Sequence, residues 1–163
     1  MSINLQEAIK NSLYTEKSAM DFYLLAAQRI ADPEARRIFE LLAREERQHA
    51  GSFYDMYTGN DLPDFDIFMA AIPEQGSGWS AALGTLLDSG FTAQQALELA
   101  MEKEQQLESV LRTIAASIAI PEVRAVFERN ADETRNHYLM IESEYARLMG
   151  MVHETDLDTY VRE

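Results

Sequence analysis

The chain has 163 residues, of which 47 % are hydrophobic, a formal net charge of −14, and no cysteine. This composition suits one domain with a sizeable core and does not fit a disordered chain. The lack of cysteine excludes disulfides, cysteine-ligated metal centres and thiol catalysis, and an acidic surface without a basic tail repels nucleic acid and anionic lipid.

The sequence also bears on the cellular location of the protein. No apolar run approaches the roughly 20 residues that a membrane-spanning helix needs. The first residues lack the basic and apolar regions of a secretory signal. The absence of cysteine fits a reducing compartment. We therefore expect a soluble cytoplasmic protein with neither a membrane nor a nucleic acid as partner.

The first two predicted helices form one hairpin. Apolar residues recur at spacings of three and four from about Asn4 to Ile30, which indicates a helix. Asp32 is a suitable N-cap and Pro33 suits the first turn of the second helix, which is predicted to end near Tyr57. Because only two or three residues join the two helices, they must be antiparallel. The residues predicted to face inward are Ile9, Leu13, Met20, Tyr23, Ala27, Ile30, Ile38, Leu42, Phe53 and Met56.

A second hairpin follows the same design. The sequence Thr-Ala-Gln-Gln from Thr92 is typical of a capping box that starts a third helix. Pro121 opens the fourth helix, and Gly150 is predicted to stop it. We expect residues 1–150 to form the bundle and residues 151–163 to form a polar, peripheral tail. The inward stripe of the third helix is predicted to comprise Ala93, Ala96, Ala100, Leu107, Leu111 and Ile114.

A long connection, residues 58–91, joins the two hairpins and is rich in glycine and proline. Residues 79–88 are predicted to form a short helix within it. A connection of this length can return along the bundle, as ferritin-like folds require, and the alternative is a disordered linker between domains. Five apolar residues favour packing: Phe65, Ile67, Phe68, Met69 and Trp79. The predicted fold is an all-α, ferritin-like four-helix bundle with a long crossover between its second and third helices.

The two hairpins are an internal repeat. Shifting the chain by 88 positions superimposes His49 on His137 and Glu16 on Glu104 without a gap. The same shift places Thr134 on Glu46. Such a repeat predicts two hairpins of one design packed about a pseudo-twofold axis.

Polar residues interrupt the inward faces of all four helices. Each alone has an ordinary explanation, since a glutamate can lie on the helix surface and a histidine can be hydrogen-bonded in a core. Together they predict a metal site, because carboxylates are rarely fully buried unless they are paired or bind a metal. Carboxylate and imidazole ligands without sulfur suit iron or manganese, and also allow zinc. The predicted ligands are Glu16, Glu46, His49, Glu104 and His137.

At these residues the chain resembles the rubrerythrin family of ferritin-like, di-iron carboxylate proteins. The resemblance covers about residues 4–150 and rests on one motif in each long helix. These are Glu16 with Phe22-Tyr23 six and seven residues later, Arg-Glu-Glu-Arg-Gln-His ending at His49, the run from Ala96 to Glu104, and Asp-Glu-Thr-Arg-Asn-His ending at His137. It implies the following roles: terminal carboxylates at Glu16 and Glu104, one iron ligand each at His49 and His137, a bridge at Glu46, and an outer contact from Tyr23.

The chain departs from this family in two respects. It has no cysteine-ligated rubredoxin module, so any electron donor must be an external protein or small molecule. Thr134 stands where the second bridging glutamate would be, and a neutral hydroxyl is a poor ligand. The neighbouring Glu133 could replace the missing carboxylate only with difficulty, because it is turned by about 100° around the helix from position 134. Glu108, one turn from Glu104, is a candidate to replace the missing carboxylate, although a glutamate there would ordinarily lie at the surface. A water or an exogenous anion held by Thr134 is a further alternative.

The resemblance implies a non-haem iron protein with one or two iron ions that reduces peroxide or dioxygen, or oxidises iron, as an oxidoreductase of peroxidase or ferroxidase type. The alternative is a non-catalytic metal-binding or structural protein, with a mononuclear or empty site because of Thr134. Iron storage would need a closed shell of many subunits, whereas rubrerythrin-type bundles more often form the homodimer that we expect here.

Overall fold

The structure, a computed structural model, describes residues 4–73 and 78–152, without the side chains of 151 and 152. Within these ranges the chain is helical and contains no β-strand. The six helices are α1 (Leu5–Ala27), α2 (Pro33–Met56), α3 (Phe65–Ala70), α4 (Gly78–Asp88), α5 (Ala93–Ala116) and α6 (Pro121–Val152). The prediction of an all-α, ferritin-like bundle is confirmed.

Helices α1 and α2 pack along each other as the first hairpin. Asn4 caps α1, and Asp32 caps α2 by accepting a hydrogen bond of 2.9 Å from the backbone N–H of Ala35. α1 ends at Ala27 rather than at Ile30, because the chain leaves the helical path there while Ile30 remains buried. The guanidinium of Arg36 donates two hydrogen bonds, of 3.0 and 2.8 Å, to the carbonyl of Ile30, which fixes the turn.

Helices α5 and α6 form the second hairpin in the same way. Thr92 caps α5, and Arg124 donates two hydrogen bonds, of 2.8 and 2.5 Å, to the carbonyl of Ile118. This turn therefore repeats the contact that Arg36 makes in the first hairpin, 88 positions earlier. The predicted stop at Gly150 differs from the structure, since α6 continues through it to Val152. Of the tail predicted for residues 151–163, residues 151 and 152 belong to α6, and residues 153–163 lie outside the described part of the chain.

The crossover holds α3 and α4 on the outside of the bundle. Phe68, Met69 and Trp79 are buried, and α4 packs chiefly against α1 and also against α5. The predicted short helix therefore exists and is one residue longer at its start. The expectation for Ile67 was wrong, because its side chain is 62 % exposed on the outer face of α3. These contacts disfavour a disordered linker for the described part of the crossover; residues 74–77 lie outside it.

Aromatic side chains fill the bundle on the side of the crossover. Phe22, Tyr23, Phe39 and Trp79 form edge and tilted contacts with ring centroids 5.1 to 6.2 Å apart. Truncating a buried aromatic of this kind typically costs about 3–5 kcal/mol, so the cluster holds α1, α2 and α4 firmly together. None of the helices in the described part of the chain is both long and apolar enough to cross a bilayer.

Candidate metal centre

The five predicted ligands converge inside the bundle. Their exposed fractions are 0 % for the three glutamates, 3 % for His49 and 1 % for His137. Each long helix contributes, since Glu16 lies on α1, Glu46 and His49 on α2, Glu104 on α5 and His137 on α6. The structure therefore brings together all five residues that the sequence placed on inward faces.

Glu46 lies between the two histidines. Its Oε1 atom is 2.8 Å from Nδ1 of His137 and 3.6 Å from Nδ1 of His49. These three residues each offer a ligand atom, and the three atoms lie within 4.8 Å of one another. The two imidazole rings are stacked almost parallel, at 7°, with centroids 5.1 Å apart. Glu46 is therefore the carboxylate that both histidines share.

The other two carboxylates flank this central group, one on each side. Oε2 of Glu16 lies 3.6 Å from Nδ1 of His49, and Oε1 of Glu104 lies 3.6 Å from Nδ1 of His137. The arrangement thus has two halves, Glu16 with His49 and Glu104 with His137, that share Glu46. Each half therefore has one carboxylate and one imidazole of its own.

Most polar atoms that point into this space have no hydrogen-bond partner within the described residues. They are both carboxylate oxygens of Glu16 and of Glu46, Oε2 of Glu104, Oγ1 of Thr134, and Nδ1 of His49 and of His137. Nδ1 of His137 lies 2.8 Å from Oε1 of Glu46, but an N–H at Nδ1 would not point toward this oxygen, so the two atoms do not form a hydrogen bond. Buried carboxylates without partners are costly. A cation would satisfy these atoms, and oxygen and nitrogen donors suit iron, manganese or zinc.

In the metal-free centre, the protonated forms of Glu46 and of both histidines are favoured. Burial, with Glu16 and Glu104 nearby, raises the pKa of Glu46 well above its usual value. Burial opposes protonation of His137, but Glu104 and Glu46 outweigh it and raise the pKa of His137 to about 12. Burial likewise opposes protonation of His49, and Glu16 outweighs it, so the pKa of His49 is raised. Metal binding must therefore displace protons.

Tyr23 contacts the centre from α1. Its hydroxyl donates a hydrogen bond of 2.6 Å to Oε1 of Glu104 on α5, and the side chain is fully buried. Burial and the negative charge of Glu104 raise the pKa of Tyr23 well above its usual value, so it stays a donor. Leu111 occupies the equivalent position in the repeat. Glu104 is consequently anchored, whereas Glu16 has neither oxygen bonded in the described structure.

Thr134 and Glu108 have different places. Thr134 is fully buried, and its hydroxyl has no hydrogen-bond partner among the described residues. Glu108 accepts a hydrogen bond of 2.8 Å from Arg112 and lies 4.0 Å from Arg135, so its carboxylate is committed to the bundle surface. Thr134 is therefore buried on the face of α6 that carries His137. Glu108 takes the surface position that is the ordinary expectation for a glutamate there.

Sequence reasoning missed two residues that contact the outer edges of the histidines. Oε2 of Glu133 lies 2.6 Å from Nε2 of His49, and Oε1 of Glu45 lies 3.0 Å from Nε2 of His137. Each contact crosses from one hairpin to the other. The signal was available, because the 88-position shift superimposes Glu45 on Glu133. Carboxylates in this position orient a histidine so that its other nitrogen faces a metal.

Comparison with known families supports the first half of this centre. The family model for rubrerythrin matches residues 4–67. The matched segment comprises α1, α2 and the start of α3, and it includes Glu16, Tyr23, Glu46 and His49. The resemblance to this family is confirmed over that segment, and the residues of α5 and α6 rest on the internal repeat and the structure. No curated protein and no solved structure matches the chain significantly.

Proposed function

We propose that this protein is a non-haem iron protein of rubrerythrin type, which binds iron between its two hairpins and uses it to reduce peroxide or dioxygen. The observation that carries the proposal is the set of buried, unpartnered donor atoms around Glu46. Three carboxylates and two imidazole nitrogens facing one another form a poor apolar core but a suitable ligand set. The family match over residues 4–67 supports the same class.

The residues of the chain divide the work. Glu16 with His49 would hold one ion, Glu104 with His137 would hold the other, and Glu46 would contact both. When bound, iron supplies a ferrous–ferric couple suited to one-electron and oxygen chemistry. Glu45 and Glu133 keep the Nε2 edges of the histidines occupied, so Nδ1 faces inward in each.

Tyr23 and its neighbours control the surroundings of the centre. The Tyr23 hydroxyl holds its proton against Oε1 of Glu104 and thereby limits how that carboxylate can turn. The aromatic rings of Phe22, Phe39 and Trp79 pack around Tyr23 and exclude water from that side. Because the chain has no cysteine, electrons must come from an external donor.

One observation favours a second candidate function. Thr134 leaves the fourth carboxylate position without a charged group. A protein with only three carboxylates could retain a single ion without redox turnover, as a metal-binding or structural protein. Retention of metal without reactivity toward peroxide would identify this case.

The test begins with anaerobic loading of the purified metal-free protein with Fe²⁺, followed by elemental analysis of the desalted protein. Hydrogen peroxide is then added in small steps while the ferric absorption is followed. We expect bound iron and its stoichiometric oxidation. A matched variant, Glu46→Gln, should lose both, whereas Glu40→Gln on the exposed face of α2 should behave as the wild type. Failure to retain any metal would contradict the proposal.

A further inference from the structure

Thr134 presents a hydroxyl group, rather than a carboxylate, to the inside of the bundle. It lies one helical turn before His137 and hence on the same face of α6. The side chain is 0 % exposed, and Oγ1 has no hydrogen-bond partner in the described parts of the chain. The internal repeat pairs Thr134 with Glu46, the shared carboxylate. The repeat thus relates this hydroxyl to Glu46, and its hydrogen-bonding capacity is unused among the described residues.

The side chains that face the cations would carry fewer negative charges than the cations bring positive ones. Two divalent cations bring four positive charges, and the buried carboxylates of Glu16, Glu46 and Glu104 supply three negative ones. The two histidines bind as neutral ligands. One positive charge would then be left among the inward ligands, because the carboxylates of Glu45 and Glu133 lie on the outer edges of the histidines and are partly exposed to solvent. A monovalent anion would remove this imbalance.

We propose that a small oxyanion of the carboxylate class, such as formate or bicarbonate, completes the centre opposite Glu46, with the hydroxyl of Thr134 donating a hydrogen bond to it. This inference rests on the proposed function, since it requires the two cations. Threonine is shorter than glutamate, so the missing part of the side chain corresponds to a carboxylate. The bound anion would thus take the place of the carboxylate group that Glu46 carries at the equivalent position of the repeat.

An oxyanion satisfies more of the available partners than hydroxide does. A carboxylate has two oxygens with several acceptor sites, enough for both cations and for the Thr134 hydroxyl. Hydroxide offers a single oxygen, which would have to contact both cations and the Thr134 hydroxyl at once. The carboxylate is also planar and rigid, like the end of the glutamate side chain that the repeat places at position 46.

The experiment measures how anion and metal binding depend on each other. Metal-free protein in a non-coordinating buffer freed of bicarbonate is titrated with Co²⁺, and binding is followed by calorimetry and by the visible absorption of the cobalt ion. The titration is repeated in 10-fold steps of sodium formate, with sodium chloride at equal ionic strength as control. We expect formate to tighten the second equivalent of Co²⁺ about 10-fold or more, within the usual range of coupling between two sites.

Two variants at one position separate the causes. Thr134→Glu supplies the carboxylate within the chain, so its second equivalent should bind tightly and show no response to formate. Thr134→Val keeps the shape but removes the hydroxyl, so its response to formate should be several-fold weaker than that of the wild type. Circular dichroism melts of both variants establish that they are folded.

The outcomes distinguish this inference from the proposed function. Tightening by formate in the wild type and its loss in Thr134→Glu support the anion site. If both equivalents bind and formate changes neither, hydroxide or water completes the centre and the inference is wrong while the proposed function stands. If no Co²⁺ binds with or without formate, the metal centre itself is wrong, and the anion site falls with it.

Discussion

His49 on α2 and Glu133 on α6 are joined across the interface between the two hairpins, with Oε2 of Glu133 2.6 Å from Nε2 of His49. The internal repeat generates the reciprocal pair, His137 with Glu45, at 3.0 Å. The carboxylates of these pairs are partly exposed, whereas the rings are buried. Each hairpin therefore orients the histidine of the other, and the centre can form only when the two hairpins are docked.

Removing these outer carboxylates should weaken metal binding without deleting a ligand. We expect Glu45→Gln and Glu133→Gln each to lower metal affinity about 10- to 100-fold, because a neutral amide orients and polarises imidazole less strongly. Competition with a chelator measures the effect. The control pair is Glu40→Gln and Glu128→Gln, which are exposed and also related by the 88-position shift. Equal affinities in all four variants would contradict the role of the crossing pairs.

Metal should stabilise the fold strongly. In the metal-free protein Glu16, Glu46 and Glu104 are buried together, and most of their oxygens lack partners in the described structure. A ligand that binds only the folded state at 100 times its dissociation constant adds about 2.7 kcal/mol to the free energy of unfolding. Thermal melts with and without chelator test this expectation. An unchanged melting temperature would show that the carboxylates are satisfied by other means.

The stability of the metal-free protein should fall as pH rises. The folded-state pKa of Glu46 is raised well above its usual value of 4.5, and that of His137 is raised from 6.5 to about 12. The folded protein thus binds more protons than the unfolded chain above these ordinary values, and stability is lost on raising the pH. The contribution of Glu46 declines from about pH 4.5 upward, and that of His137 declines between about pH 6.5 and 12.

Denaturant titrations of chelator-treated protein between pH 5 and 9 measure this slope. The variant Glu46→Gln removes one titrating group and a main partner of His137, so its slope should be shallower than that of the wild type. Because surface carboxylates titrate equally in both proteins, the difference between the two slopes isolates the centre. A slope that is the same in both would contradict the assignment of these protons.

The two metal equivalents should bind unequally in the absence of added anion. The position of Glu16 and His49 has carboxylates free of protein hydrogen bonds in the described structure. At the other position, Glu104 is already held by Tyr23, and His137 lies on the same helix as Thr134. Anaerobic Fe²⁺ titration should show one tight equivalent and a second that is much weaker. Two equal equivalents in anion-free buffer would mean that Thr134 does not weaken the centre.

Thr134→Glu should destabilise the metal-free protein and increase the stabilisation that bound metal provides. A fourth buried carboxylate without a partner should lower the free energy of unfolding of the metal-free protein by about 1–3 kcal/mol or more. The same group should increase the stabilisation that metal provides. Denaturant titrations of both states measure these opposite shifts, and a loss of stability in both states would point to a packing defect instead.

Tyr23→Phe should destabilise the metal-free protein. It removes the 2.6 Å hydrogen bond to Oε1 of Glu104 and leaves a buried carboxylate oxygen unpaired, at a cost of about 1–3 kcal/mol. The control is Tyr54→Phe, which loses a hydrogen bond of 2.7 Å to the carbonyl of Pro63 at the exposed surface. We expect a smaller loss there, because water can replace the missing partner. Similar losses in both variants would contradict the importance of the Tyr23 contact.

The sequence by itself determined the helices, their caps and the inward faces. Asp32, Thr92 and Pro121 marked starts because capping and proline geometry act over a few residues. The spacing of apolar residues showed that Glu16, Glu46 and His49 face inward, since that depends only on the helical period. The repeat then assigned Glu104 and His137. The errors were at helix ends such as Ile30 and Gly150, where local preferences are weak, and at Ile67 in the crossover, which is exposed.

Only the tertiary structure decided how side chains from different hairpins meet. Glu133 was set aside because it is turned away from the inward stripe, yet a long side chain at the edge of α6 reaches His49 on the neighbouring helix. Glu108 could have turned inward, and Arg112 and Arg135 hold it at the surface. Helical periodicity gives the direction of each side chain about its own axis, but the distance and rotation between helices follow from packing across the whole core. Contacts between helices are therefore fixed only when the bundle is assembled.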